Sequence, residues 1–594
     1  MNGSGSRRSR WILGLILSGG LFLNTYGMSF GLPSRWIVDE TVAAALRVDA
    51  EQTLIWGDIR QTHFHTYMLA VALAPYAAYA RATRPDIPAL RQAAAVSWNE
   101  LARVAPDFAT GLYRIGRVLS ALLGVATLLV VYRLGTLLFG LHAGLMAAAL
   151  LALTQGFVGS NHLARSEPLV NFFGALVVYL LVRALDAGAA RRRHFFAASF
   201  FAGLAFASKF NGLILVGSVG MAWLMLAWLD ARRESRTVSI QGLLAAARWR
   251  WLVASAALWA AGVLVGQPTL IDFLLHYREV GAYWGLYFAQ SSPAAGYLTH
   301  AVNYLLQLVV IFGVPFALFV AAGIGLFVAD RGPAASRPGG WLVLTTLGAY
   351  FLVVCRYPFP VPMIKYIILD VPLLAVFGGL ALATLAHATR LPAWLRVTVL
   401  IATMGYSAAY AMQVDRLVAR TDPRYATTAW IETNVPAGAS LEHFQEEAWL
   451  YSAPHILPAH PVIYIGRDSR TWRGSLFRQG EPRDFHQEKG DYLARMIAER
   501  PRGDFFLIWI EDLSELDPSR RPPNPELFAR AIWMMLDERL GYRLAYAARA
   551  PNYWIPSSRF PGIFYPHSFV WDPVIDYTPQ EIRIYRRVQP ASGG

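Results

Sequence analysis

The sequence is poor in cysteine, in lysine and in charge. The single cysteine, Cys355, excludes an internal disulfide and any cysteine-based metal cluster. Lysine occurs only as Lys209, Lys365 and Lys489, so arginine supplies almost all of the positive charge behind a net charge of +14. Charged residues make up only 15% of the 594 residues, too few for a soluble enzyme of this length. The sequence has no nucleotide-binding glycine loop, no solenoid repeat and no low-complexity tract.

Long apolar runs dominate the first two-thirds of the chain. Hydrophobic residues make up 55% of the sequence, and the mean hydropathy is +0.36. A membrane-spanning helix needs roughly 20 mostly apolar residues. The sequence therefore predicts a polytopic α-helical membrane protein with about eleven spans. The predicted spans lie near residues 11–31, 113–133, 142–160, 168–185, 195–208, 211–229, 251–270, 302–328, 341–355, 366–386 and 397–413.

Arginines are placed where the orientation of a membrane protein requires them. With the N-terminus in the cytoplasm, every predicted inside connection is basic, as the positive-inside rule expects. An odd number of spans then places the C-terminus outside. The basic charge lies in short loops, with no basic stripe interleaved with aromatics, so it does not predict nucleic-acid binding. The inside arginines are Arg133, Arg191, Arg192, Arg193, Arg232, Arg233, Arg236, Arg248, Arg250, Arg331, Arg337, Arg390 and Arg396.

Two regions lie outside the spans. Residues 32–112 form a long first external loop, in which "HFHTYMLAVALAPYAAYARA" (63–82) predicts a helix lying at the outer interface. Residues 421–594 have more proline, more charge and short strand-like runs, which predict a soluble α/β domain on the external side. We therefore divide the chain into a transmembrane domain (1–420) and an external domain (421–594). The strand-like runs are "DFFLIWIED", "YRLAYAARA" and "EIRIYRR".

Under this topology, the unusual polar residues of the apolar region gather on the outer side. The acidic pair Asp39 and Glu40 follows the first span, and charge at such a depth indicates a functional site. Each residue also has a simple structural interpretation, such as an acidic helix start or a snorkelling anchor, but all of them share one face. The other members of this set are His63, His65, His162, Arg165, Glu167, Lys209, Arg356 and Lys365.

Acids and bases together at the outer edge of a bilayer suit group transfer from a lipid phosphate. Asp39 could deprotonate the acceptor as general base, and direct attack would invert the anomeric centre of the sugar. Lysine or arginine could neutralise the charge that grows on the departing phosphate. A divalent metal bridging carboxylate and phosphate could share this role. No residue spacing specifies a metal site, so the sequence does not indicate whether a metal cofactor is used.

The order of several sequence motifs resembles that in the membrane glycosyltransferases of the C-type fold, in the family of bacterial protein O-mannosyltransferases and lipid A aminoarabinose transferases. The resemblance covers roughly residues 1–440. No single motif is specific to the family, but the order and spacing of the motifs together are fairly specific. These are "VDE" (38–40), "YRIGRVLSALLGVATLLVVYRLGTLLFG" (113–140), "ARSEP" (164–168), "GLAFASKFNGLIL" (203–215), "KYIILDVPLL" (365–374) and "DPRYATTAWIETNVPAG" (422–438).

The resemblance implies that Asp39 is the catalytic base or a metal contact, with Glu40 beside it and Glu167 in the same cavity. It also implies that the basic residues hold the lipid phosphate of a polyprenyl-phosphate sugar donor. Two departures stand out: "HFHTY" (63–67) replaces the family's common His-Pro-Pro, and residue 167 is glutamate where aspartate is commoner. The acceptor, a protein, a lipid or a glycan, is not indicated.

These features predict an enzyme of a bacterial inner membrane that acts at the external or periplasmic face. A transporter or flippase of a lipid-linked substrate is the main alternative, since it too would place charges within the membrane region. Transporters often show inverted repeats and broken helices near the midplane, whereas the charges here gather at one face. A non-catalytic assembly protein would leave these polar residues unexplained.

Overall fold

The computed structural model describes most of the predicted membrane region and part of the C-terminal region. The described residues are 3–32, 40–51, 54, 62–84, 101, 105–186, 190–233, 249–269, 297–330, 338–355, 367–416, 419, 423–443, 462–464, 503–510, 533–549 and 581–588.

The described part of the chain before residue 435 is helical. The helices are α1 (Gly3–Thr25), α2 (Val42–Glu51), α3 (Phe64–Thr83), α4 (Pro106–Phe139), α5 (Leu141–Ala152), α6 (Gln155–Asn161), α7 (Ser166–Asp186), α8 (Arg191–Ser208), a short 3-10 helix (Phe210–Leu213), α9 (Ile214–Arg233), α10 (Trp249–Gly266), α11 (Tyr297–Phe312), α12 (Val314–Ala329), α13 (Pro338–Val354), α14 (Val371–Ala386), α15 (Ala393–Arg416) and α16 (Pro423–Asn434).

Each of the eleven predicted spans overlaps one of these helices or a consecutive pair of them. Among the described residues, five helices are long and apolar enough to cross a membrane, or up to seven if each of two bent pairs forms one span. The helix predicted at the interface, α3, is not among these helices. The chain is therefore a membrane protein with several apolar helices.

Two segments predicted as single spans are broken. The segment 142–160 bends by 63° between α5 and α6, and the segment 302–328 bends by 118° between α11 and α12. The second break has a clear sequence cause: Gly313 adopts a φ of +74°, and a proline follows at the start of α12. A positive φ suits glycine, and proline cannot continue a preceding helix.

Close helix packing holds the bundle together. An added Cβ at Gly203 of α8 would lie 2.2 Å from the carbonyl oxygen of Trp259, and one at Gly262 of α10 would lie 2.2 Å from that of Phe200. Small residues at these facing positions let the two backbones touch, as in other membrane helix pairs. The main core is formed by buried aliphatic and aromatic side chains of α4–α9 and α11–α14.

A second, smaller apolar cluster packs the first third of α4 against α2 and α3. It includes Val42, Leu69, Leu73, Phe108 and Leu112, all of which are buried. This cluster joins the segment after Glu40 to the main helix bundle. It therefore fixes the position of the residues that follow the first helix.

The C-terminal region contains a five-stranded sheet. Its strands are β1 (Leu441–His443), β2 (Val462–Tyr464), β3 (Phe505–Ile510), β4 (Tyr542–Arg549) and β5 (Glu581–Arg587), in the order β2-β1-β3-β5-β4. β1 pairs in parallel with β2 and β3, while β5 pairs antiparallel with β3 and β4. The three runs predicted as strands thus form β3, β4 and β5. Helix α16 packs on the sheet, and Trp430 stacks on Tyr546 with ring centroids 5.1 Å apart.

Candidate active site

Glu40 and Arg117 form a fully buried ion pair. Arg117 Nε donates to Glu40 Oε1 at 2.8 Å and Nη2 donates to Oε2 at 2.7 Å, with both side chains 0% exposed. This bidentate geometry is the strongest form of an arginine–carboxylate contact. The remaining nitrogen, Nη1, donates to the carbonyl oxygens of Met28 at 2.6 Å and Phe30 at 2.9 Å. Arg117 therefore ties the segment after α1 to helix α4.

A backbone contact attaches the same segment to the start of α7. The N–H of Ala164 donates to Glu40 Oε1 at 2.9 Å, and the N–H of Thr41 donates to the carbonyl oxygen of Ala164 at 3.1 Å. The Arg117 guanidinium also lies 4.5 Å from the centre of the Phe30 ring, within the range of a cation–π contact. Both oxygens of Glu40 are thus engaged in holding three parts of the chain together.

Glu167 gathers two cations at the start of α7. Its Oε1 accepts from Arg165 Nη2 at 3.0 Å and from Lys209 Nζ at 2.7 Å. The carboxylate lies in the first turn of α7, where the helix dipole favours a negative charge. Lys209 lies at the break between α8 and the 3-10 helix, so its backbone leaves the helix at this point. The Arg165 and Glu167 side chains are 4% and 5% exposed, and that of Lys209 is 17% exposed.

His65 lies close to this cluster and is buried. Its Nδ1 is 2.9 Å from Thr41 Oγ1, and its Nε2 is buried without a hydrogen-bond partner among the described residues. Burial lowers the pKa of the His65 imidazole to about 4; the nearby Glu167 carboxylate opposes this shift and Arg165 adds to it. The imidazole is therefore neutral near pH 7. Its contact with Thr41 joins α3 to the segment after Glu40.

The other two predicted histidines make different contacts. The backbone N–H of His63 donates to Gln267 Oε1 at 2.7 Å, which joins α3 to the end of α10. His162 Nε2 is 2.6 Å from the carbonyl oxygen of Leu23, and its Nδ1 is 3.7 Å from Asp415 Oδ1. The contacts of His162 thus lie between the end of α1 and α15.

Three predicted site residues, Asp39, Arg356 and Lys365, lie outside the described residues. Their predicted roles therefore stay predictions. Among the described residues, no three histidine, cysteine, aspartate or glutamate side chains converge so that they could hold a metal ion.

Sequence reasoning missed three polar contacts. Arg117 was visible only as an arginine in an apolar run, which is itself a signal for a functional or paired charge. The Tyr304 hydroxyl donates to Asp370 Oδ2, and both residues are buried. Asn211, two residues after Lys209, donates from Nδ2 to the Tyr350 hydroxyl at 2.9 Å. The Asn211 contact joins α13 to the turn that bears Lys209, and the Tyr304 contact joins α11 to the residue before α14.

A family model for dolichyl-phosphate-mannose-protein mannosyltransferases matches residues 113–247 of this chain. The matched segment includes Arg117, Arg165, Glu167 and Lys209. It confirms the predicted resemblance to the protein mannosyltransferase family, and with it the predicted enzyme class, a glycosyltransferase. None of the curated proteins matches the sequence.

Several solved structures are remotely similar. ArnT from Cupriavidus metallidurans, bound to undecaprenyl phosphate, is 14% identical with a TM-score of 0.46, covering 91% of this chain and 96% of that one. The oligosaccharyltransferase AglB from Archaeoglobus fulgidus, in complex with an inhibitory peptide and a dolichol-phosphate, is 14% identical with a TM-score of 0.46, covering 99% and 89%. A protein O-mannosyltransferase complex from S. cerevisiae, bound to the sugar donor, is 16% identical with a TM-score of 0.32, covering 46% and 34%.

Proposed function

We propose that the protein transfers a sugar from a polyprenyl-phosphate donor to an acceptor at one membrane face, with inversion at the anomeric carbon. The observation that carries this proposal is the Glu167 cluster, which lies within the segment that matches the mannosyltransferase family. In this proposal the cluster holds the lipid phosphate, and Asp39 is the base that activates the acceptor. The proposed face is the external or periplasmic face of a bacterial inner membrane, with eleven spans.

The charge of the Glu167 cluster favours a phosphate ligand. Within the described residues, two cations, Arg165 and Lys209, share one oxygen of a single carboxylate. A phosphate accepts hydrogen bonds from both arginine and lysine, and such contacts become stronger in a site that excludes water. The Arg117 guanidinium is already engaged by Glu40 and by two carbonyl oxygens. The phosphate therefore belongs with Lys209 and Arg165 rather than with Arg117.

The roles of the two acids differ in this proposal. Glu40 is a positioning residue, because its oxygens accept from Arg117 and from the Ala164 N–H. It holds its own segment against α4 and against the chain just before α7. Glu167 orients the two cations before the phosphate binds, and this arrangement lowers the reorganisation needed when charge develops on the leaving group.

The test uses purified full-length protein in lipid with a panel of polyprenyl-phosphate sugars and cell extract as a source of acceptors, and it measures released polyprenyl phosphate. We expect Asp39→Asn to lower turnover by roughly 100-fold or more, as expected for loss of a general base. We expect Lys209→Gln to lower it by roughly 100-fold, and Lys209→Arg to restore part of it. Arg192→Gln, which changes an exposed arginine at the start of α8, is the matched control and should keep wild-type turnover.

Full release by Asp39→Asn would remove Asp39 as the base. Full release by Lys209→Gln would remove the phosphate site from the Glu167 cluster. Absence of release from every donor by the wild-type protein would overturn the transferase and favour a transporter or flippase.

A further inference from the structure

A cavity lined by polar and apolar residues lies away from the Glu167 cluster. It has a volume of about 550 Å³ and lies between the start of α5 and the end of α14. The proposed transfer reaction uses none of its residues. Helix α4 runs unbroken from Arg117 to Phe139, which separates them by roughly 33 Å at about 1.5 Å per residue. A hydrocarbon core is about 30 Å thick, so this separation is long enough to place the cavity and Arg117 at opposite membrane faces.

Two histidines from different helices meet in this cavity. His387 Nε2 lies 3.2 Å from His142 Nδ1, with ring centroids 4.8 Å apart. One imidazole must donate to the other, and each ring keeps a second nitrogen for another partner. Arg390 also lines the cavity. The cavity thus combines one permanent cation with two imidazoles.

The helix ends around the cavity also favour an anion on one side. Gly140, Leu141, His142 and Ala143 line it, and the first N–H of α5 to close a helical bond is that of Gly144. The N–H groups of Leu141, His142 and Ala143 carry the partial positive charge of the helix N-terminus, whereas that of Gly140 donates to Thr136. The end of α14 opposes this effect with partial negative charge, but Arg396 donates to the carbonyl oxygen of Ala386 at 2.9 Å and offsets part of it.

The cavity is also amphipathic. Its lining includes the apolar side chains of Phe139, Leu380 and Ala383 beside the polar rim. A free inorganic anion gains nothing from contact with apolar side chains, whereas a phospholipid has both a charged phosphate and adjoining apolar chains. We propose that this cavity binds the phosphate headgroup of an anionic phospholipid from the leaflet opposite the Glu167 cluster. Arg390 and the His142–His387 pair contact the phosphate, and the apolar lining contacts the upper acyl chains.

The test titrates the purified full-length protein with phosphatidylglycerol, with phosphatidylcholine and with inorganic phosphate, and follows bound lipid by native mass spectrometry. We expect preferential binding of phosphatidylglycerol, and about a tenfold or larger loss of its affinity in Arg390→Gln and in the double variant His142→Leu/His387→Leu. Arg390→Lys should keep most of the affinity. Arg133→Gln, an exposed arginine of α4 outside the cavity lining, is the matched control and should bind as the wild type does.

Equal affinity of the Arg390→Gln and wild-type proteins would overturn the site. So would equal binding of the two lipids, or competition by millimolar inorganic phosphate, which would indicate a site for the free ion. Binding of Zn²⁺ to the histidine pair without any effect on lipid binding would assign the pair to a metal instead. The proposed transferase is tested separately, because Glu167→Gln should leave this lipid affinity unchanged.

Discussion

The Glu40–Arg117 pair offers a quantitative test of how the segment after α1 is held. Arg117→Met leaves the Glu40 carboxylate buried with its countercharge removed, and the carbonyl oxygens of Met28 and Phe30 lose their donor. Breaking one partner of a buried ion pair typically costs about 3–5 kcal/mol of unfolding free energy. The additional loss of two carbonyl contacts places the expected value at the upper end, near 5 kcal/mol.

The double variant Glu40→Gln/Arg117→Met separates the pair from its surroundings. Removing both charges avoids the uncompensated carboxylate, so the double variant should lose less than the sum of the single variants. We expect a coupling energy of about 2–3 kcal/mol, as found for residues in direct contact. Arg114 lies one turn earlier on α4 and makes an exposed contact with Ser29 Oγ. Arg114→Gln is therefore a control that should change stability by no more than about 0.5 kcal/mol.

The assay is reversible denaturant unfolding in mixed micelles, followed by tryptophan fluorescence and far-UV circular dichroism. The free energies of wild type, both single variants and the double variant complete a double-mutant cycle. Additive losses within about 0.5 kcal/mol would refute the reasoning, because independent sites behave in that way. It would mean that Glu40 and Arg117 are not coupled in the folded protein.

Three further predictions concern other parts of the chain. Gly203→Ala should destabilise the folded protein by about 1–3 kcal/mol, because its new methyl would overlap the Trp259 carbonyl. Gly217→Ala, with open space around it, should stabilise the protein by up to about 1 kcal/mol. Denaturant unfolding midpoints measure both changes. Burial depresses the pKa of His65 below its unfolded value near 6.5, so the unfolding free energy should fall as the pH drops from about 6.5 to 4. This fall should be smaller by roughly 3 kcal/mol in His65→Gln. Equal pH dependence of the unfolding free energy in the two proteins would contradict this. Hydrogen bonds from the Ser440 N–H and hydroxyl lower the pKa of Asp504, so the stabilisation they give is present above its unfolded pKa near 3.9 and is lost below it. Ser440→Ala should therefore reduce the fall of the unfolding free energy at acid pH, while the circular dichroism spectrum at neutral pH stays unchanged.

The positions of the helices could be predicted largely from composition. Apolar runs of membrane-spanning length fall on helices because the backbone of a membrane segment must satisfy its own hydrogen bonds. The breaks were harder to find. Gly313 and Pro315 were visible in the segment 302–328, but glycine and proline are tolerated inside many membrane helices, so neither residue alone specifies a bend of 118°.

The candidate site could be predicted in outline but not in its pairings. Glu167, Arg165 and Lys209 were expected on one face, and the structure joins them through one carboxylate oxygen. The partner of Glu40 could not be predicted, because Arg117 lies 77 positions away and an arginine near a span end is also typical of an interfacial anchor. Such pairings depend on helix packing, which a single sequence does not specify.

The final contacts of α15 were also hidden from the sequence. It was predicted as the last span, and the structure shows that only 22% of its apolar window is buried. Yet its tyrosines, Tyr406 and Tyr410, lie against the bend at Gly313, 3.3–3.4 Å from where a Cβ would be placed. The Tyr410 hydroxyl donates to the carbonyl oxygen of Val310 at 3.2 Å, in the last turn of α11.

That contact has a consequence for the biogenesis of the protein. α11 and α12 have 16 residues each, about 24 Å, so neither half alone matches a hydrocarbon core of about 30 Å. A broken helix at this depth needs protein, not lipid, around its exposed carbonyls. The donor for Val310 is synthesised 100 residues later, after α12, α13 and α14. During synthesis, α11 and α12 therefore precede the helix that supplies this donor. The tyrosine contacts that cover the bend at Gly313 can form only once α15 has been synthesised.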